Sequence, residues 1–146
     1  KKDYQQWKVI EAMTRDLNAG VKIVACETVR EPDGLALSSR NRYLSENDRK
    51  RALSLSRALS AAATAAEGGQ RTVESLETVM RQVLLGTGDT TGGETGVDKI
   101  DYAVIVDAET VSPMALLDRP AVALIAARVG QTRLIDNREL LARGSR

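Results

Sequence analysis

The stretch Lys99-Ile100-Asp101-Tyr102-Ala103-Val104-Ile105-Val106-Asp107 decides how the rest of the chain is read. Asp101, Ala103 and Ile105 alternate with Tyr102, Val104 and Val106, a period of two that marks a strand in a sheet with one covered face. Two further strand-like runs follow, Ala121–Val129 and, beyond the Gly130-Gln131 turn, Thr132–Ile135. Before them, Thr72–Leu85 places Val73, Leu76, Val79, Met80 and Val83 at helical spacing. A longer helix over 46–66 turns Ala52, Leu55, Leu59 and Ala62 or Ala63 inward. Ser45-Glu46-Asn47-Asp48 opens that helix with a capping pattern, and Gly68-Gly69 breaks it. Helices grouped before strands predict an α+β domain over 44–146, its helices packed on a three-stranded, mainly antiparallel sheet. The glycine-rich run 86–96 reads as a surface connection; it lacks the Gly-Lys-Ser/Thr ending of a phosphate-binding P-loop.

Upstream, Lys2–Leu17 carries Trp7, Ile10, Met13 and Leu17 as one helical stripe, stopped by Asn18-Ala19-Gly20. Val21–Ala25 reads as a short buried strand. Helix, turn and strand over 1–43 look like the tail of an α/β unit. Between this tail and the α+β domain, Glu27–Tyr43 is a long irregular segment with a Pro32-Asp33-Gly34 turn and the polar run Ser38-Ser39-Arg40-Asn41-Arg42.

Composition narrows the chemistry. The 146 residues hold 21 Lys and Arg against 20 Asp and Glu, for a net charge of +1, which argues against a nucleic-acid partner. Aromatics make up only 3%, with no Phe, which argues against stacking platforms for bases. There is no His, so this chain supplies no Ser-His-Asp triad, Cys-His pair or imidazole catalyst. The single cysteine, Cys26, forms no internal disulfide, and a reducing, cytoplasmic setting is expected. No apolar run nears the roughly 20 residues of a membrane helix. The chain begins Lys1-Lys2-Asp3, without Met, and is expected to be a piece of something longer.

Two polar clusters remain as candidate sites. Lys2, Asp3 and Gln6 share one face at a helix start, where cation, carboxylate and amide suit a phosphorylated or hydroxylated ligand. The same residues also serve as helix capping and solvated polarity. Ser38, Ser39 and Arg40 combine hydroxyls and a guanidinium, a receptor for phosphate oxygens, or else a solvated loop.

The whole stretch Thr28-Val29-Arg30-Glu31-Pro32-Asp33-Gly34-Leu35-Ala36-Leu37-Ser38-Ser39-Arg40-Asn41-Arg42-Tyr43-Leu44 resembles the signature of the pantothenate synthetase (pantoate–β-alanine ligase) family. Lys2-Asp3-Tyr4-Gln5-Gln6, Asp16-Leu17-Asn18 and Gly130-Gln131-Thr132-Arg133-Leu134-Ile135-Asp136-Asn137 resemble it too, in the right order. The resemblance implies a Rossmann-like nucleotidyltransferase domain ending in residues 1–43, followed by a C-terminal lid domain over 44–146. It implies attack of pantoate on the α-phosphate of ATP, giving pantoyl adenylate and pyrophosphate, then attack of β-alanine to release AMP and pantothenate. By position, Lys2, Ser38, Ser39 and Arg40 match the catalytic group. Lys2, Asp3, Val29, Leu37, Ser38, Ser39 and Arg40 match ATP-binding positions, and Gln6 matches a pantoate-binding one. Leu37 stands where some members have Met, and Glu27 where many have Pro. The family's H-x-G-H motif and most of its Mg²⁺ surroundings belong to a half that precedes Lys2, so no metal ligand is assigned here and low activity is expected of this chain alone. The alternative expectation is a non-catalytic module that self-associates, for instance as a homodimer.

Overall fold

The computed structural model describes residues 1–87 and 96–140; most of the glycine-rich run, residues 88–95, lies outside the described residues. In chain order the elements are α1 (Tyr4–Asp16), a 3₁₀ turn (Ser39–Tyr43), α2 (Glu46–Glu67), α3 (Val73–Leu84), β1 (Lys99–Asp107), β2 (Ala121–Val129) and β3 (Thr132–Leu140). The strands form one antiparallel sheet in the order β1-β2-β3, as the alternation in 99–107 predicts.

Strand periodicity sends alternate side chains to opposite faces. Ala103 pairs with Ile125 and Ile105 with Ala123, and this face meets α2 and α3 in the main core. There Ala52, Leu55, Leu59, Leu76, Met80 and Leu84 are fully enclosed. Each leucine or methionine among them contributes about 1.5–3 kcal/mol on burial. With no Phe to fill space, the α2 and β2 surfaces approach closely through alanines, among them Ala58, Ala62, Ala123 and Ala127. The chain order at the helix starts follows local chemistry: the Ser45 hydroxyl accepts from the Asp48 amide at 3.1 Å and caps α2 as expected.

The second face of the sheet is covered too, which the alternation alone does not foretell. Tyr4 from the start of α1 packs with Val106 and Val122, and Trp7, Val104 and Leu124 close around them. The Tyr4 and Trp7 rings meet edge to face with centroids 5.0 Å apart. The Tyr4 hydroxyl donates to the Ala108 carbonyl at 2.9 Å, and burial pushes its pKa up to about 12. The rest of the expected α1 stripe points outward, with Ile10, Met13 and Leu17 exposed.

Two sequence expectations are corrected. Val21–Ala25 forms no strand with any described residue, and Val21 and Val24 are exposed. A strand needs a hydrogen-bonded neighbour, and none of the described strands lies beside it. Conversely, β3 continues through Asp136 and Asn137 to Leu140 instead of stopping at Ile135. Asp and Asn disfavour strands because their side chains compete for backbone groups. Here Arg30 binds the Asp136 carboxylate and the Asn137 side chain holds the Lys1 and Lys2 carbonyls, while the ladder to β2 runs unbroken through both residues.

Candidate functional site

The segment 28–37 is more regular than a loop. Arg30 and Ala36 form an isolated antiparallel bridge, and the Leu37 amide donates to the Val29 carbonyl at 2.9 Å. Pro32-Asp33-Gly34 turns the chain, Gly34 at a φ of 93° that favours glycine. The Asp33 carboxylate secures the turn by accepting from the Leu35 amide at 3.2 Å. This miniature hairpin leads into the 3₁₀ turn that presents the polar run. Ser38 caps that turn, its hydroxyl accepting from the Arg40 amide at 3.2 Å. Ser39 and the Arg40 side chain are thereby held at the surface.

Asn41 anchors the turn from beneath. It is buried, and its amide donates to Glu31 Oε1 at 2.6 Å and to the Ala36 carbonyl at 3.1 Å. Arg49 of α2 then binds Glu31 at 2.6 Å and Asp33 at 2.7 Å. These contacts hold the carboxyls of Glu31 and Asp33 below the usual carboxylate range: Glu31 through Asn41 and Arg49, and Asp33 through the Leu35 amide and Arg49 against an opposing effect of burial.

Lys2 reaches this loop from the start of α1. Its Nζ donates to the Leu37 carbonyl at 2.8 Å, immediately before Ser38. Partial burial lowers the Lys2 pKa; the Arg40 and Arg30 cations push the same way, while Asp3 and Asp136 oppose it. One narrow cleft, of ≈ 20 Å³, has Lys2, Ser38, Arg40 and Asn41 in its wall. An adjoining, wider one, of ≈ 300 Å³, has Lys2, Asp3 and Gln6 in its wall. Lys2, Arg133, Ile135 and Asp136 line both, so the two sequence clusters meet at β3. Leu37 takes part through its backbone while its side chain is exposed. Val29 lines neither cleft; its side chain is exposed and its carbonyl is taken by the Leu37 amide.

Sequence reasoning assigned no role to Asp136, Asn137 or Asn41, which assemble the site. Arg30 forks onto Asp136, Nη1 to Oδ2 at 2.8 Å and Nη2 to Oδ1 at 2.9 Å. Asn137 donates to the Lys1 and Lys2 carbonyls at 2.9 and 2.7 Å. Asp136 and Asn137 follow the apolar Leu134-Ile135 in a strand-forming run, and the segments they hold lie more than a hundred residues away. Among the described residues no group of three His, Cys, Asp or Glu side chains gathers to hold a metal ion. The chemistry on offer is an ammonium, hydroxyls and the Arg40 guanidinium, which makes no ion pair among the described residues, around a concave surface suited to anionic oxygens.

Comparison with known proteins places the chain in a family. The family model described as pantoate-beta-alanine ligase matches residues 1–139. A pantothenate synthetase of Rubrobacter xylanophilus is 55% identical, aligned over 96% of this chain and 46% of that protein. The pantoate–beta-alanine ligase of Lotus japonicus is 42% identical over 96% of this chain and 42% of its own length. The chain therefore spans less than half the length of these curated relatives. The crystal structure of pantothenate synthetase from Thermus thermophilus superposes with a TM-score of 0.82 and 40% identity, covering 94% of this chain and 46% of that one. That of the pantoate-beta-alanine ligase from Francisella tularensis, solved with beta-gamma ATP and beta-alanine, gives a TM-score of 0.57 at 26% identity, covering 99% and 42%. On sequence and on structure alike, the chain belongs to the pantoate-beta-alanine ligase family.

Proposed function

We propose that this chain forms part of the active site of an ATP-dependent ligase that joins pantoate to β-alanine through a pantoyl adenylate. The observation that carries the reading is the convergence of Lys2 with the Ser38–Arg40 turn, fixed by the 2.8 Å bond from Lys2 Nζ to the Leu37 carbonyl. In this reading Lys2 and Arg40 neutralise the charge that builds on the phosphate oxygens as the pantoate carboxylate attacks. Ser38 and Ser39 add short hydroxyl donors. Asp3 takes the ribose hydroxyls, the Val29 backbone meets the adenine edge, and Gln6 orients pantoate. No side chain acts as nucleophile; the work is alignment and charge stabilisation, which suits a chain without histidine. The described residues offer no cluster of carboxylates for Mg²⁺.

Partial sites bind more readily than they turn over. The chain is expected to bind ATP and to release little or no AMP when ATP, pantoate and β-alanine are supplied together. Calorimetric titration with ATP and a coupled AMP assay check both. Absence of ATP binding by a folded chain would sink the nucleotide reading, and brisk AMP release would overturn the inactivity.

A further inference from the structure

Asp136 and Asn137 are neighbours on β3, so their side chains leave opposite faces of one strand. Each holds a different ligand-bearing segment. Asp136, with its side chain only 2% exposed, receives both arms of Arg30 and so fixes the hairpin that carries Ser38 and Arg40. Arg30 Nη2 also reaches the Asn137 carbonyl at 3.4 Å, and Asp136 Oδ1 accepts from the Asn137 amide at 2.8 Å. Asn137 in turn uses its side-chain amide on two consecutive carbonyls, those of Lys1 and Lys2.

Two hydrogen bonds from one planar amide to adjacent carbonyls fix both the position and the direction of the backbone they grip. The segment gripped is the one that enters α1, just before Tyr4 is buried against Val106 and Val122. The side chain of Lys2 is then aimed along the sheet edge toward the Leu37 carbonyl. A lysine has a long, flexible stem and loses much of its rotamer freedom when held, so an anchored backbone is the cheapest way to present its ammonium at a set distance.

We propose that Asn137 is a positioning residue that sets the Lys2 ammonium against the Ser38–Arg40 turn, with the adjacent Asp136–Arg30 pair as the fixed reference for that distance. The assignment deepens the proposed ligase reading and rests on it for the purpose of the placement; the placement itself is a property of this chain.

The test uses the full 146-residue chain and reads Lys2 directly. The rate of Lys2 acetylation by limiting acetic anhydride is followed by peptide mass spectrometry as a function of pH, in the native chain and in Asn137→Ala. In the native chain partial burial places the Lys2 profile below that of a lysine in a free peptide. Asn137→Ala is expected to move the Lys2 profile upward toward the free-peptide profile, as the released segment regains water. Circular dichroism reports whether the variant is folded, and Asn137→Ser, which keeps one donor, replaces it if it is not. A folded variant with an unmoved Lys2 profile overturns the proposal. Parallel titration with ATP separates the two readings: a native chain that binds no ATP removes the ligase reading, while the Lys2 profile still decides the positioning role. Where ATP does bind, loss of affinity in Asn137→Ala comparable to that in Lys2→Met supports the proposal, and undiminished affinity counts against it.

Discussion

Lys2 and Arg40 are the cations whose removal discriminates most sharply at the level of single residues. A hydrogen bond to a charged group is worth about 1.5–3 kcal/mol, so Lys2→Met is expected to weaken ATP binding by roughly tenfold or more. Arg40→Ala is expected to do the same, since its guanidinium makes no ion pair among the described residues and is free for a ligand. Calorimetry of each variant, with circular dichroism unchanged, checks the pair. That Ser38, Ser39 and Arg40 lie together was legible in the sequence because they are consecutive residues of one polar run, which the structure folds into one turn. The roles of Asp136 and Asn137 were not. Their meaning lies in partners more than a hundred residues away, Arg30 and the Lys1–Lys2 backbone, and no local pattern encodes such a pairing.

The elements show which local signals survive folding. The capping pattern at Ser45 and the two-residue turn at Gly130-Gln131 were read correctly because both depend on nearest neighbours. Gly130 sits at a φ of 56°, and a Cβ there would come within 3.2 Å of the Asp48 carboxylate. Gly130→Ala is therefore expected to cost about 1–2 kcal/mol, measured as a fall in the urea midpoint. The loop after β1 carries a second, pH-dependent element. The Asp107 carboxylate accepts from the Thr110 and Glu109 amides, each at 2.9 Å, and from Arg119 Nε at 2.6 Å. These donors hold its pKa well below the ordinary value of about 3.9. A depressed carboxyl pKa gives stability that is complete above the unfolded-state value and lost as pH falls through the folded one. Urea midpoints measured downward from about pH 6 are thus expected to drop steeply below about pH 4. Asp107→Asn should flatten that acid limb while lowering stability near neutrality. The strand expected at 21–25 failed for a different reason: apolar, β-branched composition marks a segment able to pair, whereas pairing itself needs a neighbour.

At the scale of the molecule, the sheet is the mount on which everything else is held. One face carries α2 and α3, the other carries the first turns of α1, and the outer edge of β3 gathers the two ligand-bearing segments. Such an arrangement leaves the far part of α1 and the following segment with little to cover them. Val9, Met13, Leu17, Val21 and Val24 are each at least half exposed. Scattered exposed aliphatics are ordinary, but five within sixteen residues of chain concentrate apolar side chains in one segment, with Met13 and Leu17 following one another on α1 and its C-cap, and favour association. The chain is expected to self-associate with rising concentration, and light scattering across a dilution series reads it. Replacing Met13 and Leu17 with Glu should abolish the concentration dependence and leave the sheet untouched, because neither residue belongs to the two buried clusters. A native chain that stays monomeric at high concentration would show that the exposed segment is tolerated by water alone. An association that survives both substitutions would move the contact elsewhere, with the outer edge of β1 next to be tested. That edge is partly closed already: Glu77 accepts from the Ile105 amide at 2.9 Å and Arg81 donates to the Ala103 carbonyl at 3.1 Å. Side chains of α3 thus occupy backbone groups that a docking strand would need, which is why the apolar segment that includes Met13 and Leu17, and not the sheet edge, is the expected seat of association.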